Sequence, residues 1–180
     1  MSNTFFTSDL HINHDNIIKL RGFSCVGEYH DLLIKNWNNK VGKNDSVYIL
    51  GDVIWKSKNN DSYNIMRSLN GRKRIIKGNH DRRHDLKYMK ANGIIEHFSD
   101  CEGITINNMY VWLSHYPHRS WNRSYHGSLH LYGHVHNTMQ DYGLSTDVGV
   151  DKWIFAPVDF SELLVYFKDR LTEFKKGTQL

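Results

Sequence analysis

The most constraining feature of this sequence is a series of short apolar runs, several of which end in Asp, Asn or His. The runs FFTS, VYIL and RIIK contain many aromatic and β-branched residues, which favours β-strands. They alternate with segments such as EYHDLLIKNWNNK, in which apolar residues recur at helical spacing. Strands that alternate with helices predict a layered α/β fold in which helices cover the sheets.

Two more helices are predicted before the pattern changes to mostly strands at about residue 95. SYNIMRSLNG and DLKYMKANG are predicted helices that stop at Gly71 and Gly93. After about residue 95 a hairpin is expected to turn at Asn107-Asn108, and SLHLYGHVH, LSTDVGVD and LLVYFKD are predicted strands. The sequence has no internal repeat, low-complexity tract or linker, so residues 1–180 are expected to form a single domain.

Composition restricts the class of protein. The formal net charge is +4, which is compatible with a phosphate-bearing partner and equally with an ordinary basic surface. No apolar stretch approaches 18 residues and the N-terminus lacks a signal-peptide pattern, so we expect a cytoplasmic protein that does not contact a membrane. Cys25 and Cys101 have no pairing signature, and we interpret them as reduced thiols.

Polar residues gather at the ends of the predicted strands. Taken alone, a strand-end Asp is usually a turn or helix cap, and a lone His is usually a surface or core residue. Five strand ends with suitable donors are better explained by one shared site, because ligands in α/β sheets bind outside the carboxyl ends of the strands. The residues at these ends are Asp9, His11, Asp52, Asn79, His80, Asp81, His115, His134 and His136.

The donor chemistry at these positions indicates metal ions. The set contains carboxylates, an amide oxygen and imidazoles but no thiolate, which excludes a cysteine zinc site and suits Mn, Fe, Zn or Co. The donors are too many for one tetrahedral ion. Two ions that share one carboxylate would use them, and such a pair can hold a phosphoryl group and activate a water molecule.

The order of these motifs resembles the calcineurin-like metallophosphoesterases. All five signature blocks are present between residues 9 and 136, and the later DVGVD and APVDF resemble the family's closing strands. The blocks are Asp9-x-His11, Gly51-Asp52, Gly78-Asn79-His80-Asp81, His115 in SHYP, and Gly133-His134-x-His136.

The resemblance implies a four-layer αββα sandwich of two mixed sheets flanked by helices, together with a dinuclear metal centre. One ion would be held by Asp9, His11 and His136. The other would be held by Asn79, His115 and His134, and Asp52 would bridge both. Manganese is the first choice for the two divalent ions, with Fe, Zn, Co and Ni as alternatives.

The resemblance also implies a hydrolase that cleaves phosphomonoesters or phosphodiesters with a hydroxide activated by both ions. His80 would assist the leaving group, and Asp81 would orient the His80 imidazole. An alternative for Asp81 is the cap of a helix that begins near Arg82. The expected substrate is a small phosphoester or a nucleotide.

Two other functions stay open at this point. A nuclease, or a phosphodiesterase for cyclic nucleotides or RNA ends, would agree with the basic charge and with the loop after His115. In that loop Arg119 or Arg123 could bind a phosphate and Trp121 could stack on a base, although a plain polar surface loop explains the same residues. The third reading is a non-catalytic metal-binding scaffold.

Several further histidines and tryptophans were given structural interpretations. His14 and His84 are expected at the surface. Trp55 is expected to pack in the core or on a sheet, and the same expectation covers Trp37, Trp112 and Trp153.

Overall fold

The structure, a computed structural model, describes residues 2–55 and 61–177. These residues form nine strands and six α-helices. The strands are β1 (Thr4–Thr7), β2 (Ser46–Ile49), β3 (Arg72–Ile76), β4 (His97–Ser99), β5 (Cys101–Ile106), β6 (Met109–Ser114), β7 (Leu129–Tyr132), β8 (Ser145–Asp147) and β9 (Val158–Asp159). The helices are α1 (Asp15–Leu20), α2 (Val26–Lys40), α3 (Asp61–Ser68), α4 (Arg83–Ala91), α5 (Phe160–Tyr166) and α6 (Lys168–Lys175).

The strands form two mixed sheets. The first sheet has the order β4-β3-β2-β1-β9, and only β9 runs antiparallel to its neighbour. The second has the order β5-β6-β7-β8, in which β5 and β6 form an antiparallel hairpin and the remaining pairs are parallel. Together with the helices, the sheets form the layered α/β sandwich that the sequence predicts.

The side chains of the first sheet point alternately to its two faces, so a separate apolar core lies on each side of the sheet. Successive side chains of a strand point to opposite faces, so Phe5 joins one apolar cluster and Phe6 the other. The first cluster contains Leu33 and Trp37 of α2, and it therefore lies between the first sheet and its helices. The second cluster contains Leu131 of β7 and so fills the space between the two sheets.

The predicted hairpin between β5 and β6 is confirmed. Ile106 pairs with Met109, so the turn consists of Asn107 and Asn108. Both turn residues have a positive φ, 48° and 64°. This geometry matches the right-handed twist of the flanking strands, and asparagine tolerates it better than most residues.

The predicted strand LLVYFKD is wrong, because the segment spans the end of helix α5, the cap residue Phe167 and the start of helix α6. Asp159 begins α5 with a capping box, in which its side chain accepts from the Ser161 N–H and Glu162 accepts from the Asp159 N–H. Leu163 and Phe167, four residues apart, are then buried on one face. A short apolar run does not by itself distinguish a buried strand from a helix.

The short helix α1 was absent from the sequence interpretation. The ring nitrogen Nδ1 of His14 accepts a hydrogen bond from the Ile17 N–H and caps this helix. Histidine is an unusual cap, so the start signal was not recognised. Within the described ranges, no helix combines the length and the apolar character needed to cross a bilayer.

Candidate metal centre

The ends of five strands from both sheets meet at one edge of the sandwich. In the first sheet β1, β2 and β3 are parallel, so the residues that follow them emerge at the same edge. In the second sheet β6 and β7 are parallel and also end there. A parallel bridge between Ser8 and Gly149 joins the chain just after β1 to the chain just after β8. The predicted ligands therefore lie where the two sheets adjoin.

Asp9, His11 and His136 form the first donor group. Their ligand atoms all lie within 4.8 Å of one another. The Oδ1 atom of Asp9 is 3.9 Å from Nε2 of both histidines. Asp9 and His11 are buried and His136 is partly exposed, so the group has one side accessible to solvent.

Asp52, His115 and His134 form the second donor group, and their ligand atoms also lie within 4.8 Å of one another. Asn79 adjoins this group, because its Oδ1 atom is 2.8 Å from Nε2 of His115. The structure thus brings together all seven residues that the sequence selected as ligands.

Asp52 belongs to the second donor group and also lies close to the first. Its Oδ2 atom is 3.8 Å from Nε2 of His11 and 3.5 Å from Nε2 of His115. Its Oδ1 atom accepts a hydrogen bond from the backbone N–H of His80. A carboxylate in this position can contact ions in both groups.

Two donor atoms of the first group are buried without a hydrogen-bond partner among the described residues. They are Oδ1 of Asp9 and Nε2 of His11. Buried polar atoms nearly always have a hydrogen-bond partner, so each of these unpaired atoms needs an explanation. Burial lowers the pKa of His11 to about 2, so its imidazole is neutral and can present a lone pair. A cation between these atoms would satisfy both of them, and the group therefore fits a metal ion.

Hydrogen bonds on the far side of two rings select the nitrogen that faces the site. Nδ1 of His115 donates to the Leu50 carbonyl over 2.7 Å, and burial lowers the pKa of His115. Nδ1 of His136 lies 2.7 Å from Oδ2 of Asp151. A neutral imidazole that donates through Nδ1 keeps the lone pair of Nε2 for a metal.

The backbone around the predicted ligands is strained. Five of the seven, namely Asp9, His11, Asp52, His134 and His136, have φ values between 47° and 72°. Positive φ is uncommon outside glycine and concentrates at functional sites. Gly133 has no space for a side chain, because an added Cβ would lie 1.9 Å from Oγ of Ser8 and 2.5 Å from Oδ2 of Asp9.

The expected role of Asp81 requires correction. Its Oδ2 atom accepts from the N–H groups of Asp52 and Gly78, and its Oδ1 atom accepts from the N–H of Val53. Its carboxylate is therefore occupied by backbone donors and does not orient the His80 ring. It does not cap a helix either, because the N-cap of α4 is Arg82. Asp81 fixes the turn that carries Asp52.

His80 lies at the mouth of the site. Its Nε2 atom is 3.8 Å from Oδ2 of Asp52, and its side chain is 36% exposed. The ring contacts Trp55, with the two ring centroids 4.9 Å apart. His80 thus adjoins both the donor groups and the solvent.

His14 and Trp55 were assigned other places by the sequence interpretation. His14 is buried, and its ring centroid lies 3.9 Å from that of Trp55 and 5.4 Å from that of His11. His14 and Trp55 therefore form a wall beside His80 and the first donor group. His84 is exposed, as expected.

The described contacts of Arg119, Arg123 and Trp121 are with residues outside the donor groups, and their expected contact with substrate stays a prediction. The Arg123 guanidinium lies 4.7 Å from the ring centroid of Tyr110, which precedes His115 by five residues on β6, or roughly 16 Å of strand. Arg119 lines a separate cleft of about 260 Å³ beside Tyr142 and Leu144, where β8 begins. Trp121 stacks on buried His130 and donates to the Ser128 carbonyl.

Arg21 and Asp151 were not recognised from the sequence. Asp151 is bonded to Arg21 and to the predicted ligand His136. One signal was present, since Asp151 ends the run DVGVD just as the predicted ligands end other strand-like runs. Arg21 gave no signal, because a single arginine at a helix end is ordinary.

Comparison with known proteins places the chain in a family. The Gene 66 protein of Mycobacterium phage L5 is 33% identical in an alignment that covers 85% of this chain and 88% of the phage protein. The chain belongs to the Gene 66 protein family. No model of a known protein family matches it.

Solved structures support the fold. A protein of unknown function from Aquifex aeolicus has a TM-score of 0.72 at 24% identity, covering 92% of this chain and all of that one. A novel archaeal phosphodiesterase has a TM-score of 0.51 at 18% identity, covering 82% of each chain. At these identities the likeness concerns the fold alone.

Proposed function

We propose that this protein is a metal-dependent phosphoesterase of the calcineurin-like type, with two divalent ions in the two donor groups. One ion would be held by Asp9, His11 and His136. The other would be held by Asn79, His115 and His134. Asp52 would contact both.

The observation that carries the proposal is the pair of buried, unpaired donor atoms in the first donor group. Oδ1 of Asp9 and Nε2 of His11 are removed from water and have no hydrogen-bond partner among the described residues. Leaving such groups unsatisfied costs about 1–3 kcal/mol each. A bound cation removes this cost, whereas a structural role for the same residues leaves it unexplained. An archaeal phosphodiesterase has a similar fold, so the fold is compatible with the proposed reaction.

When bound, two divalent ions supply positive charge for the phosphoryl oxygens and promote deprotonation of the attacking water. The protein's own contribution is to hold the donors in place. Asp81 fixes the turn that carries Asp52 through bonds to the Asp52 and Val53 N–H groups. The Leu50 carbonyl fixes the ring of His115. These constraints keep the site arranged before substrate arrives.

His80 is the proposed proton donor to the leaving oxygen. Its Nε2 atom is near Asp52 but its side chain remains 36% exposed, so it can reach a substrate that enters from solvent. The backbone N–H of His80 donates to Oδ1 of Asp52, which fixes the backbone from which the His80 side chain extends. A protonated Nε2 would give its proton to the departing alkoxide.

The test uses chelator-stripped protein reloaded with Mn²⁺ and assayed against p-nitrophenyl phosphate and bis-p-nitrophenyl phosphate. We expect turnover only after reloading. The panel contains a monoester and a diester because the same donor geometry serves both reactions. Equal inertness of stripped and reloaded protein toward a broad phosphoester panel would contradict the proposal.

The variant His80→Ala separates catalysis from metal binding. We expect it to bind as much manganese as the wild type and to lose about 10²–10⁴-fold in turnover. His84→Ala is the matched control, because His84 is a nearby histidine with a side chain that is 89% exposed. It should retain full turnover. Unchanged turnover in His80→Ala would refute the assigned role.

A further inference from the structure

A charged pair lies directly behind the first donor group. Nε of Arg21 donates to Oδ1 of Asp151 and an Nη atom donates to Oδ2, both over 2.7 Å. The Arg21 side chain is 5% exposed and that of Asp151 is 16% exposed. Buried ion pairs are costly to desolvate, so this one is weak evidence for stability and calls for another role.

The pair contacts the first donor group from two sides. Oδ2 of Asp151 bonds Nδ1 of the ligand His136 over 2.7 Å. The Nη atom of Arg21 that holds Asp151 also donates to the backbone carbonyl of Asp9 over 2.7 Å. One guanidinium therefore ties together the chain segments that carry two of the three donors.

A third residue completes the support. The hydroxyl of Tyr29 donates to the Leu10 carbonyl over 2.6 Å, and Arg21 donates to the same hydroxyl over 3.3 Å. Tyr29 is fully buried. Two side chains, Tyr29 of helix α2 and Arg21 at the end of α1, thus hold the backbone from Asp9 to Leu10 in its strained conformation.

The second donor group is supported differently. The far nitrogen of its ligand His115 is bonded to a backbone carbonyl, that of Leu50. A carboxylate polarises an imidazole more strongly than a carbonyl does and raises the basicity of the ligand nitrogen. The two groups therefore depend on different parts of the molecule.

We propose that Asp151, held in place by Arg21, is a positioning residue that fixes the first metal subsite and acts on that subsite alone. This inference rests on the proposed function, because it takes the first donor group as a metal subsite. Loss of such a partner typically costs about 10–100-fold in metal affinity. Loss of Asp151 should therefore weaken metal binding at the first subsite and leave the second unchanged.

The test is Asp151→Asn, with manganese binding measured by titration and by metal analysis after equilibrium dialysis. We expect the wild type to bind two ions, and the variant to bind one as tightly as before and the other about 10–100-fold more weakly. Crystals of the variant at limiting Mn²⁺ should show anomalous density only among Asn79, His115 and His134.

Asp141→Asn is the matched control. Asp141 is a partly buried carboxylate that accepts a hydrogen bond from Lys152 over 2.8 Å and contacts neither donor group. Its variant should bind both ions normally. Arg21→Lys is the second variant, because it keeps the charge but loses the two-point grip on Asp151. It should weaken the same single subsite, and it decides the question by the same criterion if Asp151→Asn does not fold.

Equal weakening of both subsites, or no change in either, would overturn this inference while leaving the proposed function intact, provided that the wild type binds two ions and is active. A wild type that binds no manganese would instead refute the proposed function itself.

Discussion

The variant Asp81→Asn tests the corrected role of Asp81 most sharply. In the wild type, the two oxygens accept three backbone N–H bonds, two at Oδ2 and one at Oδ1. Asparagine offers one oxygen, so the best orientation keeps the two bonds from Asp52 and Gly78 and leaves the Val53 N–H facing an amide group. The side chain is 3% exposed, so water does not replace the lost acceptor.

The size of the effect follows from two opposing contributions. A buried N–H without an acceptor costs about 1–3 kcal/mol. Burial raises the pKa of Asp81, which means that its charged form carries a desolvation cost that the neutral amide avoids. We therefore expect the free energy of unfolding to fall by about 1–2 kcal/mol, near the lower end of that range. Asp81→Ala loses all three acceptors and should cost more.

The assay is urea unfolding of metal-free protein, so that metal binding does not contribute. Asp100→Asn is the control, because Asp100 is 67% exposed and its one ion pair among the described residues is with exposed Arg83. Its stability should be nearly unchanged. The reasoning is refuted if Asp81→Asn unfolds like the wild type and loses only turnover, because that pattern belongs to a residue that acts through His80.

Two further predictions concern packing and pH. Gly133→Ala should abolish binding of at least one manganese ion in titrations, because its Cβ would lie 1.9 Å from Oγ of Ser8; Gly27→Ala, whose Cβ would meet only an atom at 3.8 Å, should bind normally. Burial lowers the pKa of His130 from 6.5 to about 3. Between these two pH values the unfolded chain binds a proton at His130 and the folded chain does not, so the free energy of unfolding should decline as the pH falls through this range. His130→Gln should reduce this decline in melting temperatures recorded between pH 7 and 4, and an identical pH slope would show that His130 does not titrate as described.

The sequence was sufficient to predict the fold class and the meeting of the seven donors. Both rest on local patterns, since strands such as FFTS are short apolar runs and their polar ends must gather at one edge of parallel sheets. The predicted ligands Asp9 and His136 are 127 positions apart, yet each is marked by its own strand end. Periodicity and strand-end chemistry therefore carry most of this information.

The supporting residues could not be predicted in the same way. Asp81 follows His80 in the sequence, which suggested a contact between their side chains, but its carboxylate accepts hydrogen bonds from backbone N–H groups in the turn after β2. Arg21 and Asp151 are 130 positions apart and pair only in the folded chain. Such contacts depend on tertiary packing, so no local sequence pattern predicts them.

The helix α5 shows a limit of a different kind. The segment LLVYFKD is apolar enough for a buried strand, and the decisive signal was the capping box formed by Asp159 and Glu162 just before it. The sequence alone contained this signal, because Asp followed three positions later by Glu is typical of a helix start. His14 and Trp55 were misplaced for another reason, because aromatic rings beside a polar site resemble ordinary surface or core residues.

Anomalous diffraction from crystals grown with Mn²⁺ tests the central claim most directly. Two peaks are expected, one among Asp9, His11 and His136 and one among Asn79, His115 and His134, with Asp52 between them. An absence of density at both positions at millimolar manganese, or ions bound only elsewhere, would contradict it.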